Sequence, residues 1–160
     1  MNKVLSAAVL AAILGATGLQ AAITSKEALS IAEKNFPGSS VKDISVDVKK
    51  GTTFYEIESF KGNREQAIKI DANSGQVVEH EIESDIRILP NKAVDFSKLA
   101  LNIDDAIKKA LSLEAGWSLD RAELDNKNGV WIYDIELDKG LSDKRVIINA
   151  ETGEIISSYK

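Results

Sequence analysis

Apolar and polar residues follow a helical spacing and then a strand-like alternation, and this order occurs twice along the chain. Ala28, Ala32 and Phe36 are spaced as on one face of a helix. Thr24 and Glu27 precede that face with the spacing of a capping box. Beyond residue 38, apolar side chains alternate with polar ones in short runs separated by turns that contain glycine. The pattern predicts one helix followed by a meander of antiparallel strands.

The second occurrence reproduces the first at a constant offset. Residues 23–78 and 101–156 are identical at 15 of 56 positions without a gap. Unrelated segments of ordinary composition would match at about one position in 16, so the identity indicates an internal duplication. The predicted second helix begins at Asn102 and Asp105 and carries Ala106, Ala110 and Leu113 on its apolar face.

We therefore predict an α+β protein with two tandem copies of one helix packed on an antiparallel β-meander sheet. Each sheet would have one apolar face covered by its helix and one polar face open to solvent. The predicted parts are a signal peptide at 1–21, a first domain at 22–83, a linker at 84–100 and a second domain at 101–160. Units of about 60 residues are marginal alone, so we expect the two to pack together.

Two nearly equivalent stretches, DANSGQVV and NAETGEII, are predicted to be structural turns. Asp71 and Asn149 begin them, because their side chains can accept hydrogen bonds from the backbone two residues on. Gly75 and Gly153 would supply the left-handed backbone position, which suits glycine best.

The N-terminal residues indicate export. A short basic start is followed by an uncharged apolar run from Val4 to Leu19, and Ala21 offers a small residue for cleavage. The alternative, a membrane anchor, needs roughly 20 apolar residues. We predict cleavage after Ala21 and a periplasmic protein that does not insert into the membrane. Without Lys3 the chain has 19 basic and 25 acidic residues, a net charge of −6 that disfavours nucleic-acid partners.

Three motifs in the same order in both copies resemble the PepSY domain, found in propeptides of thermolysin-type peptidases and in small exported bacterial proteins. They are TSKEALSIAEK, FYEIESF and IKIDANSGQVV in the first copy, and IDDAIKKAL, WIYDIEL and VIINAETGEII in the second. The layout is also similar to that of the β-lactamase inhibitor protein, which binds an enzyme through an exposed sheet surface. The resemblance implies an interaction module acting on a peptidase or another envelope protein in trans, and it supplies no catalytic residue.

The sequence predicts no catalytic, cofactor-binding or metal-binding residues. The chain has no cysteine and a single histidine, His80, so neither a catalytic triad nor a multi-histidine metal site can be built. Glu79, Glu81, Glu83 and Asp85 alternate as on one face of a strand, and we interpret them as charges that discourage edge pairing. The alternative interpretation is a cation site.

We expect a protein-binding surface on the polar side of the strand that follows the first hairpin turn. If Tyr55 faces the core, the opposite side presents aromatic and acidic residues, a combination that suits a protein-binding face. The predicted surface residues are Phe54, Glu56, Glu58, Phe60 and, in the second copy, Ile132. The phenylalanines could instead be buried against the other copy or the linker.

The predicted function is a non-enzymatic periplasmic protein that binds an unidentified protein or peptide of the cell envelope. Modulation or inhibition of a peptidase is the activity that the resemblance suggests. The alternative is a periplasmic sensor of a small ligand or divalent cation that uses the acidic strand faces.

Overall fold

The computed structural model describes residues 21–84 and 93–159. The predicted signal peptide up to Gln20 and Asp85 of the predicted linker therefore lie outside the described residues. The helices are α1 (Ser25–Asn35) and α2 (Ile103–Leu113), and a short 3-10 turn spans Phe96–Lys98. The strands are β1 (Ser40–Lys49), β2 (Thr52–Lys61), β3 (Arg64–Asp71), β4 (Val77–Ser84), β5 (Ser118–Lys127), β6 (Val130–Lys139), β7 (Ser142–Asn149) and β8 (Ile155–Tyr159).

Both helices begin at the predicted caps. The Thr24 side chain accepts from Glu27 N, and the Glu27 carboxylate accepts from Thr24 N, which completes a capping box. In the second repeat, Asn102 Oδ1 accepts from Asp105 N at 2.9 Å. These bonds satisfy amide groups that the first helical turn leaves without a partner.

The buried face of α2 differs from the predicted one at its C-terminal end. Ile103, Ile107 and Ala110 are buried, whereas Leu113 is 48% exposed. At about 100° per residue, the centre of the buried arc falls between Ala110 and Ile107. Leu113 lies at the border of that arc, beyond Ala106, so its predicted place in the core is wrong.

The predicted α+β fold is confirmed, with one difference in how the two meanders meet. The eight strands form a single sheet in the order β4-β3-β2-β1-β5-β6-β7-β8. The central junction is an antiparallel pairing of β1 with β5, in which Val46 lies opposite Ala122. Two sheets packed together were expected, and instead the first strands of the two repeats are joined edge to edge by backbone hydrogen bonds.

The core lies on one side of this sheet, the helix face, because both helices pack there. Tyr55 and Ile57 on β2 are buried, and so are their equivalents Tyr133 and Ile135 on β6. The opposite side is the open face. It carries the alternate residues of each strand, such as Glu58 on β2.

The two duplicated turns connect the sheet to the start of each helix. Asp71 Oδ1 accepts from the backbone amides of Asn73 and Ser74, and Gly75 has a φ of 70°. The next carbonyl along the chain, that of Ala72, accepts from Ala22 N and Ile23 N, both at 2.9 Å. Each turn therefore holds the segment that leads into its helix. The turn needs a left-handed backbone conformation at its last position, and glycine adopts that conformation most readily.

The second turn has the same construction. Asn149 Oδ1 accepts from Glu151 N and Thr152 N, and Gly153 has a φ of 75°. The Ala150 carbonyl accepts from Ala100 N at 2.8 Å. Substitution of Asp by Asn at the first position leaves the geometry of the turn unchanged, because the side-chain oxygen performs the same function.

Candidate binding face

Four of the predicted surface residues lie together on the open face of β2. Phe54, Glu56, Glu58 and Phe60 are alternate residues of one strand, and each is partly buried. Their neighbours on β3 are, in the same order, Asp71, Lys69, Ala67 and Glu65. The aromatic side chains are therefore at the two ends of a row whose centre is acidic.

Phe54 is held by a cation from the neighbouring strand. Lys69 Nζ lies 5.6 Å from the centroid of the Phe54 ring, within the range of a cation–π interaction. The same ammonium is 3.4 Å from a carboxylate oxygen of Glu56. Lys69 thus contacts both residues and connects the aromatic end of the row with its acidic centre.

Ile132, the fifth predicted surface residue, is not exposed and lies apart from this row, in the second repeat. Its side chain lies on the open face of the second repeat but is only 4% exposed. Ile147, the diagonal neighbour of Ile132 on β7, is 9% exposed. Two branched aliphatic residues on adjacent strands cover each other, whereas the equivalents of this pair in the first repeat are Phe54 and Lys69. The expectation of an exposed Ile132 is therefore not met.

The acidic strand β4 forms the outer edge of the open face. Glu79, Glu81 and Glu83 lie opposite Lys69, Ala67 and Glu65 of β3, so they do share one face, as expected. His80 points to the other side, where its ring meets Phe36 edge-to-face at a centroid distance of 4.7 Å.

Small Ala67 leaves a depression in the open face of the first repeat. One cavity of about 150 Å³ is bordered by Glu58, Glu65, Ala67 and glutamates of β4. A second cavity, of about 220 Å³, borders Ala67 on the side of Lys69 and Glu56. The first cavity is lined mainly by glutamates, whereas the second is bordered by three glutamates and by Lys49 and Lys69.

The corresponding place in the second repeat is occupied by an arginine. Arg145 donates from Nε and Nη2 to the two carboxylate oxygens of Asp134, and Nη2 lies 3.9 Å from Glu136. Burial tends to raise the pKa of Asp134, but hydrogen bonds from Arg145 and Lys127 outweigh it and hold that pKa below its usual value. Asp134 is therefore a paired carboxylate.

The centre of the open face, at the β1–β5 junction, contains a carboxylate that the sequence did not reveal. Burial raises the pKa of Asp43 to about 7, and the negative charges of Glu123 and Glu58 add to the effect. Asp43 Oδ1 is buried without a hydrogen-bond partner among the described residues. Because side chains alternate along a strand, Asp43 and Ile44 face different sides of the sheet. No signal in the sequence showed that β5 would bring Glu123 beside Asp43.

Two structural features, clustered metal ligands and membrane-spanning helices, are absent from the described part of the chain. Residues 21–84 and 93–159 contain no group of three or more acidic or histidine side chains arranged to hold a metal ion. None of the helices described is long and apolar enough to cross a membrane. What the open face offers is carboxylates, a few paired cations and the two half-buried phenylalanines.

Comparison with known families decides the identity of the repeats. The profile of the peptidase propeptide and YPEB domain, PepSY, matches residues 22–81 and again residues 100–159. The chain belongs to the PepSY family. PepSY domains are in general non-catalytic modules associated with peptidase propeptides and their regulation. The domain boundaries predicted at residues 83 and 101 remain a prediction.

Two individual proteins are similar to this PepSY chain. The uncharacterized protein YkoJ of Bacillus subtilis (strain 168) is 27% identical over 136 residues, which cover 84% of this chain and 73% of YkoJ. The crystal structure of a predicted lipoprotein of Clostridium difficile 630 superposes with a TM-score of 0.75 at 19% identity, over 89% of this chain and 96% of that one. This second likeness concerns the fold alone.

Proposed function

We propose that this PepSY protein is a non-enzymatic binding module of the cell envelope that binds a protein partner through the open face of its first repeat. The observation that supports this most is the row on β2, where Phe54 and Phe60 flank Glu56 and Glu58 on the side of the sheet away from the helices. Aromatic residues that are half-buried in the free protein can be fully buried by a partner, and such residues dominate binding energies.

Modulation of a peptidase in trans is the activity we propose for that surface. The family supports it, because PepSY modules are associated with peptidase propeptides and regulation. The peptidase under this control is, in this proposal, a separate molecule.

The test is removal of the aromatic pair. We expect the double variant Phe54→Ala, Phe60→Ala to keep a melting temperature close to that of the wild type and to lose partner binding. Truncation at an interface centre costs upward of about 2 kcal/mol, or roughly a 30-fold weaker affinity. Affinity capture from an envelope extract, followed by titration of the captured protein, measures the loss.

Leu141→Ala is the matched control, because Leu141 is a fully exposed apolar residue at the hairpin between β6 and β7. This variant should bind as the wild type does. Unfolding of the double variant would instead place both phenylalanines in the packing of the fold, and unchanged capture would refute the open face of β2 as the binding surface.

We also infer that the chain is exported and that the mature protein begins at Ala22. The N-terminal pattern of basic, apolar and small residues supports this inference. Intact-mass measurement of the protein recovered from the periplasm should show a chain without residues 1–21. A mass that still includes them would contradict the inference.

A sensor of divalent cations is the second candidate, favoured by the acidic depression around Ala67. The two candidates differ in what stabilises the protein. A rise in melting temperature with Ca²⁺ or Mg²⁺ in the absence of any protein would favour the sensor. An unchanged melting temperature, together with capture that depends on Phe54 and Phe60, would favour the binding module.

A further inference from the structure

Ala67 and Arg145 occupy the same place in the two repeats. Ala67 is the partner of Glu58 across β2 and β3, and Arg145 is the partner of Glu136 across β6 and β7. Glu58 and Glu136 are themselves equivalent under the shift of 78 residues that relates the repeats. The second repeat therefore shows what fits at a position that the first repeat leaves empty.

In the second repeat, the occupant is a guanidinium group bound by two carboxylates. Arg145 forms a forked pair with Asp134 and approaches Glu136. The paired hydrogen bonds raise the pKa of Arg145 above its ordinary value. This arrangement is the bidentate geometry in which arginine binds carboxylates most strongly.

In the first repeat, the carboxylates are retained and the guanidinium is missing. The equivalents of Asp134 and Glu136 are Glu56 and Glu58, but the side chain of Ala67 ends at its methyl group. Two cavities of about 150 and 220 Å³ border that methyl group. The side toward Glu56, where the 220 Å³ cavity lies, corresponds to the side on which Arg145 reaches Asp134. The 150 Å³ cavity on the side of Glu65 has a counterpart of about 380 Å³ beside Arg145, so that side is open in both repeats.

The charge around Ala67 is not balanced by the cations described there. Six glutamates surround it on the open face: Glu56, Glu58, Glu65, Glu79, Glu81 and Glu83. Lys42 pairs with Glu58 and Glu65, and Lys69 pairs with Glu56. Lys49 also borders the depression and lies near Asp47.

The three glutamates of β4 have no ion-pair partner within residues 21–84 and 93–159. Glu83 also lies directly opposite Glu65 across β3 and β4. Like charges at directly opposed positions of a sheet are destabilising, and a bound cation would remove that repulsion.

We propose that the depression over Ala67 receives an arginine side chain of the protein partner, in the place that Arg145 holds in the second repeat. This inference rests on the proposed binding function and specifies the chemistry of the partner. A guanidinium matches it better than a metal ion, because no described cluster offers metal-ligand geometry. The methylene stem of the arginine can lie against Phe60, the diagonal neighbour of Ala67 on β2.

The direct test is titration of the whole isotope-labelled chain with a short capped peptide containing one arginine, against the same peptide with citrulline. Citrulline keeps the shape of arginine and removes its charge. We expect NMR shifts at Ala67, Glu58 and Glu81, with a dissociation constant on the order of millimolar for one charge-assisted contact. The citrulline peptide should bind at least about 10-fold more weakly, because roughly 1.4 kcal/mol is tenfold in affinity.

Two variants distinguish the effect of filling the depression from the effect of neutralising its charge. Ala67→Arg should abolish the peptide-induced shifts and raise the melting temperature by about 2–4 °C, because the new positive charge lies beside the glutamates of β4, which have no ion-pair partner among the described residues. Ala67→Leu should block the peptide equally without that rise. Ala67→Arg should also release the partner captured by the wild type.

Three results of the titration would overturn the proposal. These are equal shifts with arginine and citrulline, no shift near Ala67, or the same shifts with Ca²⁺ alone. A partner that is lost with Phe54→Ala, Phe60→Ala but retained with Ala67→Arg would refute the arginine site and leave the binding function standing.

Discussion

At the residue scale, the duplication has produced pairs of equivalent positions with different charges. Asp43 and Arg121 are such a pair on the open face, one on each of the two central strands. Arg121 bonds to Glu123 at 3.0 Å and lies 3.7 Å from Asp47, while Oδ1 of Asp43 has no hydrogen-bond partner among the described residues. The fold therefore buries one carboxylate whose ionisation is compensated only in part, by the charge of Arg121 and the backbone at Ile44.

The Asp43 carboxylate should make stability fall as pH rises through the weakly acidic range. Its pKa is about 7 in the folded protein against 3.8 in the unfolded chain, so the folded state holds the proton more tightly. Below about pH 4 both states are protonated, and there is no penalty. Between about pH 4 and 7 the unfolded state ionises first, so the free energy of unfolding decreases, by at most about 4 kcal/mol.

Asp43→Asn should remove that penalty. We expect the variant to be more stable than the wild type by about 1–3 kcal/mol at pH 8 and equally stable near pH 4, as measured by urea denaturation at each pH. The groups that face Asp43 are Glu58 on β2 and Glu123 and Arg121 on β5. Asp47→Asn is the control on the same strand face. Because Asp47 lies near both Lys49 and Arg121, its substitution should bring no gain at pH 8.

Residue-level predictions from the sequence succeeded where the residues of a single strand or turn determine the position of the side chain. Alternation placed Tyr55 in the core, where it is fully buried, because the side that a residue faces is a property of its own strand. The exposure of Ile132 and the environment of Asp43 depend on which residues stand on the neighbouring strand. For Asp43 the neighbouring strand is β5, and its register is set by the pairing of the two repeats, which no local pattern encodes. For Ile132 it is β7 of the same repeat, where Ile147 stands in place of Lys69 of the first repeat.

At the element scale, the two helices are tied to each other and to the sheet by Asp104 at the start of α2. Its Oδ2 accepts from Ser25 N, in the first turn of α1, at 2.8 Å, and its Oδ1 accepts from the Tyr55 hydroxyl at 2.8 Å. A carboxylate at the N-terminus of a helix is favoured by the helix dipole. Burial and then the charge of Asp104 raise the pKa of Tyr55, which keeps the hydroxyl protonated as a donor.

Asp104→Ala should destabilise the protein by about 2–4 kcal/mol. The buried amide of Ser25 loses its acceptor, and the Tyr55 hydroxyl keeps only the longer contact with the Ile23 carbonyl, at 3.3 Å. Asp105→Ala is a matched control, since it removes an exposed carboxylate from the same helical turn. It should cost less than about 1 kcal/mol. Urea denaturation of both variants measures the difference, and equal losses would mean that the network does not stabilise the contact between the helices.

A double-mutant cycle tests whether the stability lost in Asp104→Ala comes from the hydrogen bond with Tyr55. Tyr55→Phe should be non-additive with Asp104→Ala, because the two residues share a hydrogen bond. Tyr133→Phe should be additive with it, since the Tyr133 hydroxyl donates to the Leu101 carbonyl instead.

The helix caps were predictable from residues three positions apart. Asp104 was not, because the equivalent residue in the first repeat is Lys26 and its partners are 79 and 49 residues away.

At the scale of the whole molecule, the strand order makes each repeat incomplete without the other. β1 lies in the interior of the sheet between β2 and β5, so separation of the repeats would turn two central strands into unprotected edges. It would also remove Asp104 from Tyr55 and Ser25. A unit of about 60 residues buries only about 60% of the surface of its unfolded chain, which is marginal for independent stability.

We therefore predict that the chain unfolds in one cooperative transition and that the isolated segments 22–83 and 101–160 do not fold on their own. The two tryptophans, Trp117 and Trp131, both belong to the second repeat, so fluorescence reports that repeat whereas far-ultraviolet circular dichroism reports both. In urea, the two signals should change with the same midpoint. In Asp104→Ala both midpoints should fall together, because the network serves both repeats. A fluorescence transition separated from the circular dichroism transition in the wild type, or an isolated segment with a sigmoidal melt, would show instead that each repeat is an independent domain.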